Sequence, residues 1–260
     1  MALMTSRAAA VFKGPGEIAV MVMEVSRRLF KRPFQWAEFA EQAWFITSVT
    51  LMPTILVSIP FGAVISLQVG NLTGQLGAQS FAGATAVLAV VREAAPIAAA
   101  LIIAGAAGSA ICSDLGARKI REEIDAMEVL GVDPLYRLVV PRVLAAMFVS
   151  FMIIGIVMTA GIAGGYFFTV IIQGGSAGAF LANFTALSSL ADLIIGVVKA
   201  VMFGWLAAIV GAYKGLTAGG GPSGVGRAVN ESVIIAFMLL FFLNALMTAV
   251  YFQVVPQAGL

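Results

Sequence analysis

The sequence predicts an all-α integral membrane protein with five transmembrane helices, an N-terminal amphipathic interfacial helix, and a short charged helix between spans two and three. Of its 260 residues, 61% are apolar and only 11% are charged. The mean hydropathy is +1.02, far above that of a soluble domain. Because a helix needs roughly 20 predominantly apolar residues to cross a bilayer, the stretches without charge locate the spans.

Three long stretches, 42–91, 143–191 and 232–260, contain no charged residue. The first two are too long for one span each, and each has a polar or glycine-rich break near its middle, at 70–80 and 173–178. Each of them therefore contains a span, or parts of two. Within a single domain that covers 1–260, the predicted spans are 44–69, 83–113, 143–172, 193–213 and 231–254.

The basic residues indicate the orientation of the chain. Thirteen of the 15 Lys and Arg residues lie in the N-terminal segment, at 118–142, or at positions 214 and 227. These positions fall on alternate sides of a five-span chain, and Lys and Arg favour the cytoplasmic side of short loops. We therefore expect the N-terminus in the cytoplasm and the C-terminus outside.

Residues 17–32 are predicted to form an amphipathic helix in the membrane interface. Apolar residues recur there at helical spacing, and basic residues gather towards its end. The alternative is that this segment is only a positively charged flank of the first span. The apolar stripe is Ile18, Met21, Val22, Val25 and Leu29, and the basic group is Arg27, Arg28, Lys31 and Arg32.

The second span is dense in Ala and Gly. Gly105 with Ser109, and Ala104 with Gly108, have the spacing of small residues that lets the backbones of membrane helices approach closely. We therefore expect this span to lie at the centre of the bundle.

Composition excludes several kinds of active site. Histidine is absent and Cys112 is the only cysteine, which excludes His/Cys zinc sites and the Ser-His-Asp and Cys-His systems. No metal site and no catalytic residue are predicted.

The glycine-rich run 219–227 formally satisfies G-x-G-x-x-G. No strand precedes it, Pro222 interrupts it, and Arg227 stands where a phosphate-binding loop needs Lys followed by Ser or Thr. We predict a flexible cytoplasmic loop and no nucleotide site in this chain.

Residues 117–134 contain eight charges in an otherwise apolar chain. Apolar residues recur among them at helical spacing, which predicts a short amphipathic helix over 117–131. Gly131 is expected to end this helix, and Asp133-Pro134 to form a turn before the next one. The helix could rest on the membrane or under the bundle, or it could dock in a groove of another protein. Its apolar residues are Ile120, Ile124, Met127 and Leu130.

Ionisable residues within spans are costly and are therefore candidates for function. Arg92 and Glu93 are helix neighbours separated by roughly 100°, so they cannot share one direction. Lys199 lies at a depth comparable to that of Glu93. We expect a Glu93–Lys199 ion pair, with Arg92 turned towards Asp192 or towards a dimer cavity. These charges could contact a lipid head group or fix the register of the helices.

Residues 92–142 resemble the signature region of the MlaE/YrbE family, the permease subunits of ABC transporters that act on lipids together with MCE proteins. The resemblance extends over 61–70, which includes Gln68, and over the five-span plan, while the last 70 residues match mainly in hydropathy. Among the members, the sequence looks most like the actinobacterial YrbE permeases of Mce operons. The matching elements are Arg92, Glu93 and Pro96, the run Gly105 to Ser109, Met127, Gly131 to Pro134, and Pro141 with Arg142.

The resemblance implies that 117–131 is a coupling helix that docks in a cleft of a cytoplasmic ATPase. Residues 125–131 partly match the E-A-A-x-x-x-G pattern of ABC importer permeases. The implied coupling residues are Arg118, Arg121, Glu122, Glu123, Asp125, Ala126, Met127, Gly131, Asp133 and Pro134. The intramembrane residues of a possible lipid pathway are Gln68, Arg92, Glu93, Pro96, Asp192 and Lys199.

The implied assembly lies in the inner membrane and imports fatty acids, mycolic acids or sterols. It pairs this chain with a second permease, either a copy or a paralogue, and adds a dimer of ABC ATPases and a hexameric MCE assembly outside. ATP and Mg bind to the ATPase, this chain carries no cofactor, and no nucleic-acid partner is expected.

Two functions of other classes are alternatives to this one. An ion-coupled secondary transporter would use Glu93 and Asp192 as carriers, but no inverted repeat is visible and the charged helix is left unexplained. An intramembrane enzyme would need a metalloprotease motif or an intramembrane aspartate pair, and the sequence shows neither.

Overall fold

The computed structural model describes residues 16–29, 35–77, 82–187 and 189–254, and within these ranges the chain is helical and has no strand. Five of the helices are long and apolar enough to cross a membrane, which confirms the predicted fold class. In chain order the helices are α1 (16–28), α2 (Trp36–Gln75), α3 (Thr85–Ile120), α4 (Glu123–Val129), α5 (Leu135–Ile172), α6 (Ala177–Leu187), α7 (Leu190–Leu216) and α8 (Gly221–Val254).

The spanning helices are α2, α3, α5, α7 and α8, and most of them extend past the predicted spans. For example, α2 begins at Trp36 rather than at residue 44, and α5 begins at Leu135 rather than at residue 143. Hydropathy marks only the part of a helix that suits the hydrocarbon core, whereas the helix itself continues into the polar interface. We call the end of the bundle that carries α1, α4 and the turn between α7 and α8 the basic end.

Helix α3 lies at the centre of the bundle, as its small residues predict. Within the most apolar window of each helix, 67% of α3 is buried, compared with 17% of α8. A Cβ added to Gly211 of α7 would lie 2.6 Å from the carbonyl oxygen of Gly108. The face of Ala104 and Gly108 is thus buried, while Gly105 and Ser109 are half-buried.

Helices α2 and α5 also meet at glycines. A Cβ added to Gly62 would overlap the carbonyl oxygen of Gly161, and one added to Gly164 would lie 2.7 Å from the carbonyl oxygen of Ile59. Close backbone approach replaces the hydrophobic driving force that is missing between helices in lipid. The first span is therefore packed along the third.

Helix α1 lies against the bundle through its predicted apolar stripe. Ile18, Met21 and Val25 are buried, and the hydroxyl of Tyr213 at the end of α7 donates to Glu17 at 2.5 Å. Of the predicted basic group, Arg27 and Arg28 lie within the described residues and Lys31 and Arg32 lie outside them. The location of α1 in a membrane interface stays a prediction.

A short helix, α6, was not predicted. With 11 residues it is too short to span a bilayer, and it lies at the end of the bundle opposite the basic end. Phe180 of α6 is buried, and its ring packs edge-on against Tyr166 of α5, with 5.3 Å between the ring centroids.

The prediction of one helix over 117–131 is wrong. Helix α3 continues to Ile120, Glu122 has a left-handed backbone with φ of 60°, and the separate helix α4 follows. A left-handed residue interrupts the helical hydrogen bonds, so the residues on its two sides no longer share a face. Ile124 is therefore buried, whereas Ile120 and Leu130 are exposed.

The prediction of a flexible loop over 219–227 is also wrong. Gly220 and Gly221 form a tight turn with positive φ, and α8 begins at Gly221. Pro222 lies in the first turn of α8, where an N–H has no partner within the helix in any case. The glycine content reflects this turn and the packing of Gly224 against Gly219.

Candidate functional site

The Lys199 cluster joins α3, α7 and α8 within the spans. The Nζ of Lys199 lies 3.0 Å from Oε1 of Glu93 and donates to the hydroxyl of Thr248 at 2.7 Å. Thr248 donates to the same carboxylate at 2.8 Å, and the amide nitrogen of Asn244 donates to its second oxygen at 3.0 Å. The Lys199 side chain is only 1% exposed. The predicted Glu93–Lys199 ion pair is therefore confirmed.

The Asp192 cluster joins the same three helices. The Nε of Arg92 and the hydroxyl of Tyr251 donate to Oδ1 of Asp192 at 2.5 Å and 2.6 Å. The other oxygen accepts from the backbone N–H and the hydroxyl of Ser189 at 2.9 Å and 2.7 Å. Ser189 and Asp192 also form a capping box that starts α7. Of the two orientations expected for Arg92, the structure has the one towards Asp192.

The local structure of α3 explains how the two clusters form side by side. Arg92 and Glu93 lie in a π turn, Val90–Ala94, and as helix neighbours they point to different partners. Pro96 has no N–H to donate to the carbonyl of Arg92 four residues before it. That carbonyl accepts from Nζ of Lys199 at 3.1 Å. The proline thus frees a backbone acceptor for the buried ammonium.

Three residues of α8, Asn244, Thr248 and Tyr251, were missed by the sequence analysis. They follow the spacing i, i+4, i+7, which places them on one face of the helix, and a polar face on an otherwise apolar span is the signal that could have found them. Gln68, which the resemblance suggested, is exposed on α2. Within the described part of the chain it makes no hydrogen bond to either cluster.

Both clusters link α3 to α7 and α8 within the spans. Each carboxylate accepts from one cation and from at least two further groups, so the charges that burial would penalise are compensated. Among the described residues, no three His, Cys, Asp or Glu side chains lie together in a way that could hold a metal ion.

A third buried charge group, the Arg142 cluster, lies towards the basic end. Arg142 is fully buried, and its guanidinium donates to Asp114 of α3 at 2.5 Å and to the carbonyl of Leu138 at 2.6 Å. Glu38 of α2 lies 3.6 Å from the same guanidinium. From the sequence, Arg142 was expected only as part of a motif, and its partners were not predicted. This cluster ties together the ends of α2, α3 and α5.

Residues 118–134, which we call the α4 segment, form a compact charged unit at the basic end. Arg121 pairs with Glu123 at 2.7 Å, and Lys119 pairs with Asp125 at 2.5 Å. The hydrogen bond from Arg121 holds the pKa of Glu123 below its usual value. Arg118 bridges Asp114 at 3.3 Å and Glu123 at 3.8 Å. Most of the predicted charges of this segment therefore bind one another across the break at Glu122.

The end of α4 is defined by Gly131, as predicted. Gly131 has φ of 73°, its N–H donates to the carbonyl of Glu128, and the N–H of Val132 donates to that of Met127. This is the hydrogen-bond pattern of a Schellman motif. Immediately before the turn, Val129 and Leu130 are 88% and 78% exposed. The segment therefore presents two aliphatic side chains at a rigid tip.

Asp133 connects the α4 segment to two other elements. Its Oδ1 accepts from the backbone N–H groups of Leu135 and Tyr136 at 3.0 Å and 3.3 Å, which caps the start of α5 and confirms the predicted turn. Its Oδ2 accepts from Nε of Arg28 in α1 at 2.9 Å. Burial lowers the pKa of Arg28, but the bonds to Asp133 and Glu24 outweigh burial and raise it.

Comparisons with known proteins agree with this architecture. The model of the family described as permease MlaE matches residues 39–250. The chain is 31% identical over 226 residues to a probable ABC transporter permease protein of Rickettsia typhi, covering 87% of each chain. It is 32% identical over 203 residues to one of Synechocystis, covering 78% of this chain and 77% of that protein.

A more distant relative is a chloroplast protein of Arabidopsis thaliana, trigalactosyldiacylglycerol 1. The identity is 24% over 236 residues, which is 91% of this chain and 67% of that protein. The family match covers well over half of the chain, and the five apolar helices make it a multi-pass membrane protein. This chain belongs to the MlaE permease family of ABC transporter permeases.

Proposed function

We propose that this chain is the non-catalytic membrane subunit of an ATP-driven lipid transporter, and that its α4 segment receives the motion of a partner ATPase. The observation that carries the proposal is the exposed pair Val129 and Leu130 at the tip of α4. Aliphatic side chains at the polar end of a membrane bundle face water rather than lipid, and at a rigid helix tip they can enter a groove of another protein. We propose that ATP and Mg bind to the partner, because the sequence contains no phosphate-binding loop motif.

The proposed topology places the basic end in the cytoplasm. Helix α1, the α4 segment and the helix ends that flank the turn between α7 and α8 all lie there. They hold seven of the 11 Lys and Arg residues within the described ranges, and such residues favour the cytoplasmic side. The N-terminus is then inside the cell, the C-terminus is outside, and the membrane is the inner membrane. An ATPase in the cytoplasm can reach α4 only in this orientation.

Lipid is the proposed cargo. One relative carries the name of a glycerolipid, and a groove with a volume of about 340 Å³ runs between α2 and α3. Its lining is apolar and includes Val57, Phe61 and Gly105. We propose fatty acids, mycolic acids or sterols as cargo, as for the YrbE permeases, with import assisted by a hexameric MCE assembly outside. A second permease, identical or paralogous, would complete the dimer.

The ion-coupled alternative has less support. Its proposed carriers, Glu93 and Asp192, would have to exchange their ion during each cycle. Each is instead bound to a cation from the protein and to several hydrogen-bond donors. A structural role for both pairs explains this arrangement with no further assumption.

The test is a detergent pull-down of the tagged chain co-expressed with a candidate ABC ATPase from the same organism. We expect the ATPase to co-purify with the wild type and to be lost from a Val129→Arg, Leu130→Arg variant. Reversing the charges of Glu123 and Asp125 would be harder to interpret, because both residues form ion pairs within the α4 segment.

Asn230→Arg is the matched control, since Asn230 is exposed on α8 near the basic end. The control should retain the ATPase. Equal recovery of the ATPase by the tip variant and the control would show that the tip is not the docking site. Absence of the ATPase from the wild type would remove the support for ATP coupling.

A further inference from the structure

A second apolar groove lies between α1 and the half of α7 and α8 nearest the basic end. It has a volume of about 530 Å³, within the range of roughly 300–1,000 Å³ typical of ligand sites. Its lining includes Ala19 and Met23 from α1, Trp205 and Leu206 from α7, and Ile235 and Leu239 from α8. We infer that this groove holds one acyl chain of a membrane phospholipid whose phosphate contacts Lys214.

The groove is preformed, because α1 is attached to the bundle at both ends. Near its start, Glu17 accepts from the hydroxyl of Tyr213 at 2.5 Å. Near its end, Arg28 donates to Asp133 at 2.9 Å. Between these two attachments Ile18, Ala19, Val22 and Met23 of α1 line the gap that remains against α7 and α8, and an empty apolar gap would forfeit the dispersion contacts that a guest provides.

The length of the groove along α7 matches the thickness of one leaflet of the bilayer. Trp205 and Tyr213 are eight residues apart on α7, which is about 12 Å at the helical rise of 1.5 Å per residue. One leaflet contributes about half of a hydrocarbon core that is about 30 Å thick. An acyl chain that begins beside Tyr213 would thus reach past Trp205 towards the bilayer centre.

The rim of the groove carries a cation suited to a phosphate. The Nζ of Lys214 lies 2.7 Å from Oε2 of Glu231 and 5.9 Å from the ring centroid of Tyr213. An ammonium group has three donors, so the bond to Glu231 leaves capacity for a phosphate oxygen. Arg27 follows Met23 by one helical turn and is exposed. The carboxylates of Glu17 and Glu231 are both engaged by hydrogen bonds at this rim.

This site is separate from the proposed transport groove between α2 and α3. The inference requires only that the chain is embedded in a bilayer, and it does not depend on an ATPase, on MCE proteins or on transport. Its failure would leave the proposed function intact, and failure of ATPase docking would leave this site intact.

The test uses the full chain in lipid nanodiscs that contain a trace of phosphatidylglycerol with a photoreactive group in one acyl chain. Adducts are mapped to peptides by mass spectrometry. In the wild type we expect labelling to concentrate on the α7 and α8 peptides that line the groove. Ala19→Trp should fill the groove and lower this labelling about tenfold, which corresponds to about 1.4 kcal/mol. Val20→Trp, on the neighbouring exposed position, should leave it unchanged.

A photoreactive diacylglycerol, which has the same chains without the phosphate, separates chain binding from phosphate binding. Lys214→Gln should reduce the labelling by phosphatidylglycerol to the level of diacylglycerol and leave the diacylglycerol labelling unchanged. If Ala19→Trp does not fold, Leu206→Trp replaces it, with Val198→Trp at an exposed position of α7 as the control.

Three results would overturn the inference. The first is equal labelling of the filling variant and its control. The second is wild-type labelling spread over all spans in proportion to their exposure, which would indicate ordinary boundary lipid. The third is the absence of lipid adducts from the α7 and α8 peptides of the wild type, which would show that no acyl chain occupies the groove.

Discussion

Arg28 and Asp133 are 105 positions apart in sequence, yet Nε of Arg28 donates to Oδ2 of Asp133 at 2.9 Å. This bond joins α1 to the point where the α4 segment turns into α5. Because the other oxygen of Asp133 caps α5, one carboxylate connects three elements. A displacement of α4 would therefore be transmitted to α1 as well as to the third span.

The two roles of Asp133 can be separated by substitution. Asp133→Asn keeps a capping side chain and removes the charge, whereas Asp133→Ala removes both. We expect the free energy of unfolding to fall by less than about 1 kcal/mol for Asn, as for other partly exposed ion pairs. Loss of the cap should cost about 1 kcal/mol more for Ala. Thermal unfolding in detergent measures both, and equal destabilisation by the two variants would contradict the capping role.

Glu93→Gln should be more damaging than Lys199→Met. The first leaves a fully buried ammonium without its counter-charge, and breaking such a pair costs roughly 3–5 kcal/mol. The second leaves a partly exposed carboxylate that keeps Asn244 and Thr248 as donors. Denaturant unfolding of both single variants and of the double variant gives the coupling free energy between Glu93 and Lys199. Strictly additive losses would show that the two charges do not interact.

Tyr251→Phe tests the Asp192 cluster with almost no change of shape. It removes the hydroxyl that donates to Asp192 at 2.6 Å, and hydrogen bonds to charged groups contribute about 1.5–3 kcal/mol. We expect a drop of that order in the free energy of unfolding. Phe252→Leu, at the neighbouring exposed position, serves as the control and should change stability much less. An unchanged free energy of unfolding for Tyr251→Phe would show that this hydroxyl does not stabilise the cluster.

Gly62→Ala should force α2 away from α5, because a Cβ there would overlap the carbonyl oxygen of Gly161. Overpacking of this kind costs about 1–3 kcal/mol. Gly155→Ala is the matched control on α5, since nothing lies within 4 Å of its added Cβ. The control should be neutral or stabilise by up to about 1 kcal/mol through helix propensity. The melting temperatures of the two variants test this prediction. An unchanged melting temperature for Gly62→Ala would mean that the helices are not in contact there.

The Glu93–Lys199 pair could be predicted from sequence, because two opposite charges at similar depth in apolar helices must find each other or remain uncompensated. Asn244, Thr248 and Tyr251 were not predicted. Uncharged polar residues can be tolerated in a span without one obligatory partner, so each of them taken alone carries little signal.

Local chemistry also limited what could be predicted about the α4 segment. Gly131 and Asp133-Pro134 were predicted correctly, because a helix-ending glycine and an Asp-Pro turn depend on their immediate neighbours. The break at Glu122 was not, since nothing in a glutamate demands a left-handed backbone. That conformation persists where ion pairs bridge the break, as Arg118 and Arg121 do with Glu123.

The sequence by itself determined the fold class and the number of spans, because partition into lipid depends on the composition of each segment taken alone. Only the tertiary structure decided which residues complete the buried clusters, where the α4 segment bends, and that α1 leaves a groove against α7 and α8. Those features depend on the rotation and depth of one helix relative to another, and no single segment of the chain encodes that relation.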